Sequence, residues 1–330
     1  MGFWSNSARA KTAAAGQRSS LACSVLRGSG CVGRARRNFR TIMEVPVTAT
    51  FSVEPRVVIH APALLRIWHL ASLDAPTVAV VWTLALARVA GVRMPFWVPA
   101  VIALAAWCCY VFDRILDARS ARSPLRTRHH FHWRYRRLFI PAALGAAITA
   151  VALVLHSMPV VAKERNSVLA VAAIAYFTTV HSPWRPRMSR FRVRMPKEFL
   201  VGLLFTLACV APVWFRAPAY RVELLPAVLG FIALAWLNCH AIESWESETL
   251  LPEMAKVFVA ALVVCAVTML AAVWVASCHQ PRVALLLALS ATSAAALAVL
   301  DRGRSYLDPI ALRAAADFVL LTPVVMLACK

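Results

Sequence analysis

Carboxylates are scarce in this chain: 15 Asp and Glu stand against 36 Lys and Arg, a formal net charge of +21, and no acidic residue precedes Glu44. Other signatures are missing altogether. The nine cysteines include no C-x-x-C and do not pair by spacing, which removes a disulfide framework or a zinc site. No Gly-rich phosphate loop, G-x-S-x-G elbow or H-E-x-x-H helix occurs, so the nucleotide, hydrolase and metalloprotease chemistries that rest on them lose their support. Charged residues make up only 15% of the chain while hydrophobic residues make up 61%, and the mean hydropathy is +0.67. An ordinary soluble domain is nearer half apolar. The chain reads as a polytopic membrane protein.

Apolar runs about as long as a bilayer is thick, roughly 20 residues, lie near 75–92, 95–112, 138–158, 166–181, 199–215, 222–242, 255–277, 282–300 and 309–328. They predict an all-α membrane bundle of about nine transmembrane helices, eight if a run softened by Arg88, Arg216 or Arg221 does not cross. The runs are too long and unalternating for barrel strands. Positive charge collects in two connections, Arg114 to Arg137 and Ser182 to Lys197. The positive-inside rule puts both in the cytoplasm, and the sixth-to-seventh and eighth-to-ninth connections with them by parity. That accounts for the basic balance without nucleic acid. The expected location is a cell inner membrane.

Residues 1–56 are expected to be a basic, disordered N-terminal extension, with 57–330 the transmembrane domain. The first 42 residues also resemble an organellar transit peptide in composition, and Met43 offers an alternative start. Residues 57–73 suggest an interfacial amphipathic helix.

Chemistry is concentrated at two helix ends. Asp113 and Asp117 are i and i+4, on one face where the second span meets the cytoplasm. Adjacent carboxylates there want a cation: Arg114, Arg119 and Arg122 as surface ion pairs, or Mg²⁺, a hard ion that takes carboxylate oxygen and brings substrate phosphates with it. The sixth span ends in "AWLNCHAIESWESE", which places Asn238, Glu243 and Glu246 on the same predicted side. Two acidic ends amid Arg and Lys suit a diphosphate bridged by Mg²⁺. Elsewhere, His129, His130 and His132 are expected at lipid headgroups, and Arg313 and Asp317, i and i+4 within the last run, as an intrahelical ion pair.

These residues resemble the UbiA superfamily of intramembrane prenyltransferases, which have nine transmembrane helices and aspartate-rich motifs in the second-to-third and sixth-to-seventh connections. Asp113, Arg114 and Asp117 match the later part of its N-D-x-x-D-x-x-x-D motif, and Arg122 with the following Ser-Pro-Leu is similar to the segment after it. Lys197 and Gly202 resemble its entry to the fifth helix, and Asn238, Glu243 and Glu246 are the best match to its second motif. Cys109 and Tyr110 stand where the family prefers Asn and Asp. The resemblance implies Mg²⁺ held by Asp113, Asp117, Glu243 and Glu246, and transfer of a polyprenyl group from its diphosphate to a lipophilic acceptor, with an aromatic one among the options. Arg114, Arg122, Lys197 and Asn238 would bind substrate. The alternatives are a non-catalytic relative acting as pseudoenzyme, transporter or scaffold, and a CDP-alcohol phosphotransferase-like enzyme. No protein partner is implied.

Overall fold

A computed structural model describes residues 58–120, 127–181, 197–246 and 254–328 of the chain. Arg122 therefore lies outside the described residues, as does the N-terminal extension up to residue 57. The described residues are almost entirely helical, with no strand among them beyond a single bridge between Ile59 and Leu307. Twelve α-helices follow in order: α1 (Ala63–Leu70), α2 (Asp74–Val89), α3 (Trp97–Ser120), α4 (Thr127–Arg134), α5 (Arg136–Ser157), α6 (Val160–His181), α7 (Lys197–Arg216), α8 (Arg221–Glu246), α9 (Met254–Ser277), α10 (Pro281–Gly303), α11 (Pro309–Phe318) and α12 (Val324–Ala328).

Among the described residues, six helices are long and apolar enough to cross a membrane: those within 97–119, 136–157, 197–216, 218–246, 256–277 and 281–306. The pair α1 and α2 makes a seventh if a bent unit counts as one span, since its halves meet at 89°. Ser72 makes that bend with φ +59°, a conformation uncommon for a residue with a side chain. Its buried hydroxyl is held at 3.1 Å from His132 Nε2 on α4. Over 58–73, the described part of the region expected as one amphipathic helix from 57, the chain is an extended strap, an eight-residue helix and a corner.

Helix α2 stops at a glycine. Gly91 takes φ +66°, and the Val92 N–H reaches back to the Ala87 carbonyl at 2.8 Å, a Schellman closure that leaves only 16 helical residues. The last apolar run is broken too. Helix α11 ends at Phe318, a 3₁₀ turn covers Val319–Leu321, and α12 begins after Pro323, whose missing N–H cannot continue an α-ladder. Carbonyls freed at such a break need donors where no water is at hand. Ser293 Oγ donates to the Val319 carbonyl at 2.7 Å and Trp82 Nε1 to the Leu320 carbonyl at 2.9 Å. Helix α6, which carries Lys163, Glu164 and Arg165, is also outside the six.

The core lies between α2, α7, α8, α9 and α10. Trp82 of α2 stacks on Phe231 of α8 with centroids 3.7 Å apart and planes 4° off parallel, both fully buried. Helices α7 and α8 touch backbone to backbone: a Cβ on Gly202 would stand 2.8 Å from the Trp236 nitrogen, so only glycine fits. Leu138, Ile148 and Leu155 of α5, Val168 and Val171 of α6, and Leu270 of α9 point outward and are more than half exposed. Lipid-facing helices present such faces, and water would not favour them.

Candidate functional site

Two sets of polar residues lie at one end of the bundle. The outer set starts from the acidic helix ends. Glu246, at the last turn of α8, is held by Arg128 of α4, with Nη1 to Oε1 at 2.5 Å and Nη2 to Oε2 at 3.3 Å, and by Arg313 of α11. Glu243, one turn earlier, accepts from Lys197 Nζ at 3.0 Å, which ties the start of α7 to the end of α8. On α3, the Asp117 carboxylate is half exposed and lies 3.8 Å from His129 Nε2. Asp113 is partly buried one turn before it.

Helix α4 joins the two acidic ends. Its adjacent residues Arg128 and His129 are bonded to each other at 3.3 Å, the first turned to Glu246 and the second to Asp117. Asp117, His129, Arg128, Glu246 and Arg313 therefore form one chain of contacts from α3 to α11. Of the three histidines expected at headgroups, His129 and His132 are buried and only His130 is exposed. Burial pushes His132 down to about 4, against the raising effect of its bond to the Arg128 carbonyl. Its Nδ1–H donates to that carbonyl at 3.0 Å, so Nε2 is left to accept from Ser72 Oγ and the ring is neutral. An apolar or neutral pin suits this place, because α4 fastens the corner between α1 and α2 from above.

The inner set was not anticipated as a unit. Arg114 does not serve Asp113 and Asp117 as a surface pair: it is 3% exposed, donates to the His69 carbonyl at 3.1 Å and lies 3.6 Å from Asp74 Oδ2. Asp74, the first residue of α2, receives His69 Nδ1–H at 2.7 Å and the Ala75 N–H at 2.9 Å. Asp317 is not paired with Arg313, which goes to Glu246; it accepts from Asn238 Nδ2 at 3.1 Å and lies 3.7 Å from His69 Nδ1. Asn238, expected at the acidic rim, instead turns inward and leaves its Oδ1 buried without a hydrogen-bond partner. The signal for this set was present in the sequence as ionisable residues inside or beside apolar runs, which are functional candidates by default.

Asp317 and Asn238 also line a cavity of about 30 Å³, together with Tyr110, Cys239, Phe205 and Phe231. Among the described residues, His69, Asp74 and Asp317 are the one group of three or more potential metal ligands whose donor atoms lie within 4.8 Å of one another. A divalent ion there would have to displace the proton shared by His69 and Asp74, beside an arginine that already balances one carboxylate. The outer carboxylates offer hard oxygen donors at a half-exposed rim, which suits Mg²⁺ bound by one or two carboxylates and completed by substrate phosphate.

The near end of the strap is fixed in the same region. Asp308 caps α11 through the Ile310 and Ala311 N–H groups at 2.8 and 3.0 Å and holds the Ala61 N–H at 3.2 Å. Burial would raise its carboxyl, but these N–H groups, with His60, hold it below the usual range. Compared with known proteins, the chain matches no family model, no curated protein and no solved structure.

Proposed function

We propose that the chain is a multi-pass membrane prenyltransferase with a nine-span UbiA-like fold, which uses Mg²⁺ to transfer a polyprenyl group from a polyprenyl diphosphate to a lipophilic acceptor. The observation that carries this reading is the junction through α4: the acidic ends of α3 and α8, 129 residues apart from Asp117 to Glu246, are linked through His129 and Arg128, and the same two helices supply Tyr110 and Cys239 to an aromatic-lined cavity. In this reading the rim faces the cytoplasm and the donor diphosphate lies across it. Bound by Asp113 and Asp117 with Glu243 and Glu246, Mg²⁺ would neutralise the leaving diphosphate.

The chain's own residues divide the remaining work. Lys197, Arg128 and Arg313 are cations already aimed into the rim, and they exchange a carboxylate partner for phosphate oxygen when the donor arrives. Arg114 is buried beneath, so its role is to hold Asp74 and His69 in place and not to touch the diphosphate. Water is kept from the allylic carbon by Phe205, Phe231 and the lipid-facing helices. The present cavity admits about one water, so donor binding must part the helices around it.

The test is release of diphosphate from labelled geranylgeranyl diphosphate by purified full-length protein. Release that requires Mg²⁺ and falls about 10²-fold or more in Asp113→Asn and Asp117→Asn supports the reading. A non-catalytic role is favoured by the saturation of Glu246 between two arginines. It would show as donor binding without release, indifferent to Asp113→Asn.

A further inference from the structure

The end of the bundle opposite the rim has a charge pattern of its own. There α3 and α8 begin and α7 ends, whereas at the rim α3 and α8 end and α7 begins. The last three residues of α7 are Trp214, Phe215 and Arg216, and each meets another helix through a guanidinium laid over a ring. Arg221 of α8 lies over Trp214 at 5.9 Å, Arg165 of α6 over Phe215 at 5.6 Å, and Arg216 itself over Trp97 of α3 at 5.6 Å. Four helices are thus joined here by arginine and aromatic rings. Among the described residues the only carboxylates at this end are Glu164 and Glu223, and neither forms an ion pair with these arginines.

Most of the guanidinium donors are left over. Arg216 Nη1 donates to the Pro212 carbonyl and Arg221 Nε to the Trp214 carbonyl, both at 3.0 Å, and Arg165 makes no hydrogen bond among the described residues. A guanidinium carries five N–H donors in its plane, and a ring beneath it occupies the face and not the edge. The stacked cations are therefore already oriented, with edges open to an anion. Their surroundings are apolar. Val161, Arg165 and Val168 are i, i+4 and i+7 on one exposed face of α6, and both valines are more than half exposed. Phe96, beside Trp97, and Val222, beside Arg221, are exposed as well. A cation among lipid-facing side chains is expensive unless its long stem carries the charge to the headgroup level and an anion meets it there.

We propose that this end of the bundle is a binding site for an anionic phospholipid, whose phosphate accepts from Arg165 and Arg216 while an acyl chain lies along the Val161 and Val168 face of α6. Arg165 covers the ring of Phe215 and Arg216 follows Phe215 in the chain, so the two cations flank one aromatic residue. A phosphate takes two N–H groups from each arginine edge. A zwitterionic lipid brings its own ammonium to a place where cations already outnumber carboxylates, so the site selects lipids with net negative charge. Helix α6 meets the bundle chiefly at α7, and a headgroup shared by Arg165 and Arg216 ties it there. The inference is independent of the prenyl-transfer reading and of which side of the membrane this end faces.

The experiment uses purified full-length protein in detergent micelles that contain labelled phosphatidylglycerol and phosphatidylcholine in equal amounts, and counts each lipid retained after the excess is removed. Wild-type protein should retain phosphatidylglycerol in preference. Arg165→Gln and Arg216→Gln should each lower its retention about fivefold, and the double variant about 25-fold, at the worth of one basic side chain at an anionic surface; phosphatidylcholine should not change. Arg302→Gln is the control, since Arg302 lies over Phe258 at the other end of the bundle, and its preference should equal that of wild type. A preference that survives in the double variant belongs to the basic extension or the loops and overturns the inference, as does an equal loss in Arg302→Gln. Full displacement of the lipid by millimolar inorganic phosphate would show a site for the free anion and contradict the lipid assignment. If Arg165→Gln and Arg216→Gln each lose monodispersity in phosphatidylcholine alone, the stacked arginines serve the fold and the inference fails.

Discussion

The outer rim and the inner cluster are built from the same residue types and handle charge in opposite ways. At the rim, each of Glu243, Glu246 and Asp117 meets a cationic or titratable group from a different helix, and the groups stay within reach of water: the Lys197 side chain is 57% exposed and Asp117 47%. The exposed pairs contribute little to stability and part readily, whereas Glu246 and its partners Arg128 and Arg313 are only 12–21% exposed. In the inner cluster Arg114, His69 and Asp74 are almost wholly buried and bonded chiefly to one another. The first arrangement suits exchange of partners with a ligand. The second suits a fixed frame, which reaches the cavity through Asp317 and Asn238.

Substitution should separate the two regions, and the largest effect is expected inside. Arg114→Leu strands the Asp74 carboxylate in the bundle, which should cost about 3–5 kcal/mol; the readout is loss of monodisperse protein on heating in detergent. A variant as stable as wild type would show that Asp74 is not held as a buried anion. Gly202→Ala comes next. Its Cβ meets backbone at 2.8 Å, so α7 and α8 must separate, at about 1–3 kcal/mol, visible as a lower midpoint in the same assay. Glu243→Gln, whose partner Lys197 is exposed, should by contrast leave that midpoint within about 0.5 kcal/mol while it weakens donor binding. A large fall in stability there would make the rim part of the frame.

The smallest effect concerns pH. His132 is neutral and buried, with a value of about 4 against an ordinary 6.5. Between those values the detached ring takes up a proton that the docked ring does not, so the docking of α4 weakens as pH falls from 6.5 towards 4 and is unaffected above that window. One proton gives at most about tenfold more opening per pH unit. Hydrogen exchange over Thr127–Arg134 should show this slope, and His132→Gln should flatten it.

All nine apolar runs are helical in the structure, and that much was legible because lipid permits the backbone little else. Where helices stop was less legible. Gly91 and Pro323 were visible as residues, but that Ser293 and Trp82 would satisfy the carbonyls freed after Phe318 depends on packing from α10 and α2, which no local pattern records. The site divided in the same way. Spacing put Asp113 with Asp117 and Glu243 with Glu246 on single helices. It could not show that α4 would carry Arg128 to one end and His129 to the other, or that Asn238 and Arg114 would turn inward. Those are tertiary choices, made by helices far apart in the chain.

The central claim is that the two acidic helix ends act as one site, and a double-mutant cycle on Mg²⁺-dependent diphosphate release tests it most directly. Asp117→Asn and Glu246→Gln are measured singly and together with labelled geranylgeranyl diphosphate. Residues that share a bound ligand are non-additive by about 0.5–3 kcal/mol, so the double variant should be impaired by much less than the product of the single effects. Effects that multiply, as for independent positions, would contradict the claim.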